Sequence, residues 1–96
     1  MDFEWDSDKS AWKQTVRGFD FDFVTEIFAD ARRIDRTDTR RHYGEPRRQT
    51  IGEIEGTIYF AAYTFRGSSI RIISARRAHD KEEKEYRDPA RQAPSH

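Results

Sequence analysis

Ninety-six residues suffice for one domain and leave no room for a second core. At 34% hydrophobic and 38% charged the chain approaches a disordered composition, but seven Phe, four Tyr and two Trp supply enough apolar surface for a folded core. Zero net charge excludes a uniformly basic nucleic-acid binder, and the lack of cysteine excludes a disulfide scaffold, a thiolate zinc site and a sulfur nucleophile. The absence of cysteine suits a reducing cytoplasm. With no apolar run near about 18 residues and no signal-peptide pattern, a cytoplasmic protein without a membrane partner is expected. The charge is unevenly spread. Residues 1–30 hold eight acids against three bases, residues 31–48 seven arginines against three acids, and residues 66–77 four arginines and no acid.

In chain order, residues 2–5 read as a short strand ending in Trp5. Asp6-Ser7-Asp8-Lys9 offers side chains to cap a helix that runs to about Arg17, with Ala11, Trp12 and Val16 as its apolar positions and Gly18 as its stop. Asp20 caps a second helix, in which Phe23, Val24, Ile27 and Phe28 share one face as a core stripe. A short strand is expected around Arg32–Arg36, a polar loop over Thr37–Pro46, and a strand over Arg47–Ile54 closed by a Glu55-Gly56 turn. The strand Thr57–Phe65 is apolar or aromatic on both faces, which predicts a central strand packed on both sides. An Arg66-Gly67-Ser68 turn joins it to Ser69–Arg77. Asp80-x-x-Glu83 resembles a capping box for a charged helix to Arg87. The whole predicts one α+β domain, residues 1–88, with N-terminal helices on a twisted antiparallel sheet and a short C-terminal helix. Its core comprises Val24, Ile27, Phe28, Ile58, Phe60, Ile70 and Ile72. Residues 89–96 read as a flexible tail.

Few of the usual chemical constellations are present. His42, His79 and His96 stand in no metal-ligand spacing, the glycines form no phosphate loop, and Ser68, Ser69 and Ser74 lack a nucleophile-elbow context. No cofactor and no metal are expected. What remains is arginine on the last strand. Period-two counting sends Ile70, Ile72, Ser74 and Arg76 to one face and Arg71, Ile73, Ala75 and Arg77 to the other. A guanidinium is planar and permanently charged, and it matches two phosphate oxygens. Arg71, Arg76 and Arg77, with Arg47 on a neighbouring strand, are therefore candidate contacts for a phosphate or a carboxylate. Glu82 can serve as an ion-pair partner of a strand arginine, and Tyr86 can pack the last helix on the sheet. The other aromatics, Trp5, Trp12 and Phe65, are assigned to the core; Tyr59 and Tyr63 are left open.

The run Ile70-Arg-Ile-Ile-Ser-Ala-Arg-Arg-Ala78, followed by Glu82 and Tyr86, resembles the end of BrnT toxins of type II toxin–antitoxin systems. The resemblance extends upstream through Phe3-Glu-Trp-Asp6, Lys9, Gly18, Phe21, Phe28, Tyr43-Gly-Glu45, Arg47, Ile51-Gly52 and Tyr63-Thr64, covering about residues 3–87 in one order. Lys13 and Val16-Arg17 depart from the family's usual Asn and Lys-His. The resemblance implies a RelE-like fold and a metal-independent endoribonuclease that cuts mRNA and inhibits translation. By resemblance, Arg47, Arg71, Arg76 and Arg77 hold the phosphate while RNA is cut by its own 2′-hydroxyl, proton transfer falls to Glu45, Glu82, His42 or His79, and Tyr86 donates a hydrogen bond or stacks on a base. Arg47, Arg71, Arg76, Arg77, Glu82 and Tyr86 are then its catalytic residues. It further implies a cognate ribbon-helix-helix, BrnA-like antitoxin, through which alone operator DNA is bound.

A second reading makes the chain a catalytically weak subunit whose arginines bind an acidic partner and contribute to an antitoxin–operator complex. The two differ in geometry. Convergence of the arginines with Tyr86 on one cleft supports phosphate chemistry, and dispersal over the sheet with local Glu partners supports the binder.

Overall fold

The computed structural model describes residues 2–9, 11, 18–39 and 44–92. The expected course of the first helix through Trp12 and Val16, the loop residue His42, and the last residues including His96 lie outside these.

Asp6 begins the first helical turn as its position predicts: its carboxylate accepts the amides of Asp8 and Lys9 at 3.0 and 3.2 Å. Asp20 caps α1 (Phe21–Val24) in the same way, accepting the Phe23 amide at 2.9 Å. The chain then tightens into a 3₁₀ segment, Thr25–Ala29, in place of a continuing α-helix. Five strands follow or precede: β1 (Asp2–Glu4), β2 (Ile34–Thr37), β3 (Arg48–Ile54), β4 (Thr57–Arg66) and β5 (Ser69–Arg77). The C-terminal helix α2 spans Asp80–Tyr86, and Pro89–Gln92 form a 3₁₀ turn beyond it.

The sheet order is β1-β5-β4-β3-β2. Contrary to the all-antiparallel expectation, the sheet is mixed, because β1 pairs with β5 in parallel, Phe3 opposite Ile70. Tight turns dictate antiparallel pairing only where they occur. The β3–β4 turn has both central residues, Glu55 and Gly56, at positive φ (49° and 86°), and the β4–β5 turn has Gly67 at 61°. Both geometries carry the twist that matches a hairpin. No such turn connects β1 to β5, so its direction comes from packing alone.

Each face of β4 is covered, as its composition predicts. On one side Phe19, Phe21, Val24, Ile27, Tyr59, Ile72 and Ala75 form the larger core; on the other, Ile51, Ile58, Phe60, Ala62 and Tyr86 form a smaller one under α2. Of the expected core only Phe28 is half-buried, lying edge-on to Tyr63 with ring centroids 5.0 Å apart. Phe65, assigned to the core, is 58% exposed near the tip of the β4–β5 hairpin, where it meets the Tyr63 ring edge-on with centroids 5.7 Å apart but is left largely open to solvent.

Strict alternation along β5 also fails. Tyr63 pairs with Ile72 but Ala62 with Ser74, so Ile73 is an extra residue, a β-bulge. The bulge swaps the faces: Ile70 and Ile72 fall with Ala75 and Arg77, while Arg71 falls with Ser74 and Arg76.

Gly52 allows the 3₁₀ segment to press against β3. A Cβ there would lie 2.6 Å from Ile27 Cγ2 and 3.2 Å from Arg33 Cβ. Gly52→Ala should therefore lower stability by about 1–3 kcal/mol through overpacking. Urea denaturation would register this as a lower midpoint, and an unchanged midpoint would mean that the segment can retreat freely.

Candidate active site

The end of β5 and the start of α2 bring together a cation, a carboxylate and a histidine. Arg76 leaves the sheet on the α2 side, its guanidinium stacked 4.1 Å from the Phe60 ring centre. Its two terminal nitrogens donate to the two oxygens of Glu82 at 2.7 and 2.8 Å, a bidentate pair. Glu82 also accepts the His79 amide at 2.8 Å, so it serves as the third residue of a capping box that starts at His79. The box thus begins one residue earlier than Asp80-x-x-Glu83 suggested. Burial pushes the Glu82 carboxyl up, but the Arg76 fork, the His79 amide and the nearby charges outweigh it and hold the group below the usual range. Glu82 is therefore ionised at neutral pH.

The remaining sequence-derived candidates are distributed around this cluster. Arg71 shares the Arg76 face but pairs with Glu4 of β1 at 3.1 Å. Their partners on β4, Thr64 and Phe60, are four steps apart, which sets the two strand positions roughly 13 Å from each other. Arg47, just before β3, pairs with Glu45 at 3.4 Å. Arg77 projects to the opposite face, where it lines a cavity of about 310 Å³ with Phe19, Phe23 and Tyr59. Arg76 and Arg77 therefore do not gather on one phosphate. Tyr86 is 2% exposed, and its hydroxyl donates to Asp30. Its ring packs in the smaller core, with Arg91 Cζ 5.0 Å from the ring centre. Burial and then the Asp30 carboxylate push the Tyr86 phenol up to about 12.

A second polar cluster escaped the sequence reading. Asp35 of β2 accepts the Tyr63 hydroxyl, Arg33 and, at 2.5 Å, Arg48 Nε. Burial raises its carboxyl, and these donors together bring it below the ordinary range. The alternation Arg33-x-Asp35 was a signal of a shared strand face. Its partners Arg48 and Tyr63 sit on other strands, so only the register reveals them. The cluster ties β2 to the middle of the sheet.

A family described as ribonuclease toxin, BrnT, of type II toxin-antitoxin system matches residues 5–82. The chain belongs to the BrnT family. That family is one of ribonucleases, so this BrnT chain is an RNA-cutting enzyme of a toxin–antitoxin pair, with RNA as substrate and a cognate antitoxin as partner. No curated protein matches the chain as a relative. The BrnT match takes in Arg47, Arg71, Arg76, Arg77 and Glu82 and ends before Tyr86.

The Tyr86 phenol titrates at about 10 in an unfolded chain and at about 12 in the fold. A raised pKa means the folded state holds the proton more tightly, so this stabilisation is complete below pH 10 and is lost as pH rises towards 12. Tyr86→Phe should flatten the alkaline fall in stability over that window. Thermal melts from pH 9 to 12 would decide, and identical slopes for both proteins would contradict the assignment.

Proposed function

We propose that this BrnT toxin adopts a RelE-like arrangement and cuts mRNA without a metal, through the Arg76–Glu82–His79 cluster. The observation that carries the reading is that a guanidinium, an ionised carboxylate and an imidazole-bearing residue meet at one partly exposed place. In the reaction the 2′-oxygen attacks the adjacent phosphorus while the bond from phosphorus to the 5′-oxygen breaks. Glu82 takes the 2′-proton, and His79, when protonated, returns one to the departing 5′-oxygen. The products are a 2′,3′-cyclic phosphate and a 5′-hydroxyl. Arg76 keeps its Nε edge unpaired among the described residues while its outer end holds Glu82. That edge faces the developing charge on the non-bridging oxygens, and the Phe60 ring fixes its plane. Arg71 and Arg47 lie too far away for the same phosphate and suit flanking phosphates of the strand. Tyr86 acts by holding α2, and hence Glu82, against the sheet.

Cutting mRNA arrests translation, and a ribbon-helix-helix, BrnA-like antitoxin relieves the arrest by covering this face. Operator DNA is then bound by the assembled pair. A second reading, assembly without efficient cleavage, draws on the dispersal of Arg47, Arg71, Arg76 and Arg77 over the sheet and on the pairs Arg47–Glu45, Arg71–Glu4 and Arg76–Glu82, the arrangement expected of a binder.

Removing one preorganised charge donor costs about 10²–10³ in rate. Arg76→Ala should lose cleavage by that factor and relieve growth arrest while remaining folded. Arg76→Lys should recover only part, because an ammonium cannot serve carboxylate and phosphate as one planar fork. Wild-type cleavage should persist in EDTA and leave 2′,3′-cyclic ends. Abolition by EDTA, or full toxicity of Arg76→Ala at equal expression, would sink the mechanism and favour the second reading.

The partner claim has its own check. Toxin co-expressed with its antitoxin should elute as one complex and shift operator DNA, whereas toxin alone should not. Two separate peaks at micromolar concentration would count against it.

A further inference from the structure

We propose that the cavity beside Arg77 is a base pocket that accepts guanine from the RNA near the cut; the inference rests on the ribonuclease reading above. The cavity, about 310 Å³, is lined by Gly18, Phe19, Asp20, Phe23, Tyr59 and Arg77. That is the small end of the usual range for ligand pockets, suited to one heterocycle. Its apolar wall is rigid. Phe19 and Phe23 both meet Tyr59 edge-on, with centroids 5.3 and 5.5 Å apart and interplanar angles of 73° and 77°. Phe19 and Tyr59 are each 6% exposed, so the rings are held in the core and show only part of their surface to an entering base. The wall therefore gives an entering base van der Waals contact, which is indifferent to base identity.

Identity comes from the polar rim. Arg77 carries no carboxylate partner among the described residues, unlike Arg71 and Arg76. Asp20 spends one oxygen on the Phe23 amide and leaves the other without a partner among the described residues. The two charges line the same cavity without forming an ion pair, which leaves a gap between a donor fork and an acceptor. Guanine fills such a gap with complementary groups: N7 and O6 accept from an arginine fork, and its N1–H and N2–H donate to a carboxylate. Cytosine has adjacent acceptors, N3 and O2, but a single amino group as donor, and uracil has only its N3–H, so neither offers an acceptor pair to the arginine and a donor pair to the carboxylate at once; adenine presents an amino donor where guanine has O6.

The pocket is also well placed for the reaction. Arg76 and Arg77 are consecutive and point to opposite sides of the end of β5. β1 pairs only with Ser69–Arg71, so among the described residues no strand covers the outer edge of β5 beyond that point. RNA crossing that end with a phosphate at Arg76 brings a neighbouring base to Arg77.

The test reads binding and cleavage separately. Guanosine 5′-monophosphate and cytidine 5′-monophosphate are titrated into the purified toxin and followed by NMR. The guanine nucleotide should shift signals of Phe19, Tyr59 and Arg77 and bind at least about tenfold more tightly, the discrimination expected of a good bidentate contact. Asp20→Asn keeps a good helix cap, yet replaces the charged acceptor, and should bring the two affinities to within about twofold. Equal binding of both nucleotides by the wild type, shifts away from the cavity, or an unchanged ratio in Asp20→Asn overturns the pocket. Sequencing the ends of cleaved random RNA should show guanine enriched near the cut. Cuts without base preference, together with equal nucleotide binding, sink the pocket alone. Guanine-selective binding without any RNA cleavage supports the pocket and counts instead against the Arg76 mechanism.

Discussion

One carboxylate joins the two layers of this protein. Asp30 follows the 3₁₀ segment and accepts the amides of Arg32 and Glu53, both at 2.9 Å, together with the hydroxyl of Tyr86. The Glu53 amide is available because β2 pairs with β3 only as far as Ile51, leaving the rest of that edge open. Gly52 provides the clearance, since a Cβ there would stand 3.3 Å from Asp30 Oδ2. Burial raises the Asp30 carboxyl, and these three donors reverse the effect, so it is held below its usual range and stays charged. A partly buried charge so thoroughly hydrogen-bonded is costly to disturb. Tyr86 reaches it from the far side of the sheet. The position of α2, and with it that of Glu82 one helical turn earlier, depends on this link.

The second feature of the molecule is how its charge is neutralised. In sequence the acids crowd the N-terminal third and the arginines the middle and the last strand. In the fold they find one another over long separations: Arg71 with Glu4, Arg36 with Glu85. Exposed pairs of this kind contribute little to stability, on the order of 0–1 kcal/mol each. Their effect on a polyanion is larger. A guanidinium already facing a carboxylate attracts phosphate less than one with an open edge, as at Arg76 Nε, or one without an ion-pair partner among the described residues, as at Arg77. Zero net charge and a phosphate-handling role are compatible once the charges are counted site by site.

The bulge at Ile73 gives the end of the late strand its two different sides. Without it Arg76 would share the Ile70 and Ile72 face and be driven into the larger core. The extra residue turns Arg76 towards Phe60 and α2, and Arg77 towards Tyr59. One strand end therefore serves a charged cluster on one side and an aromatic cavity on the other.

Local signals were sufficient for much of this. The Asp6 and Asp20 caps, the Glu55-Gly56 and Gly67-Ser68 turns, the span Ser69–Arg77 and the two-faced character of β4 are each set by a few neighbouring residues. A run of residues matched in order was enough to point to a ribonuclease toxin family. The sequence also named both members of the Arg76–Glu82 pair, because a strand arginine six residues before a helix carboxylate lies within local reach. Other features were decided only in three dimensions. The parallel pairing of β1, the exposure of Phe65, the attachment of Tyr86 to Asp30, the gathering of Arg33, Arg48 and Tyr63 around Asp35, and the separation of Arg76 from Arg77 depend on register and on contacts across dozens of residues. Period and propensity describe what a segment prefers alone. A single extra residue in β5 reverses which side chains face the core, and that residue is specified by how β4 and β5 pack together rather than by anything within β5 itself.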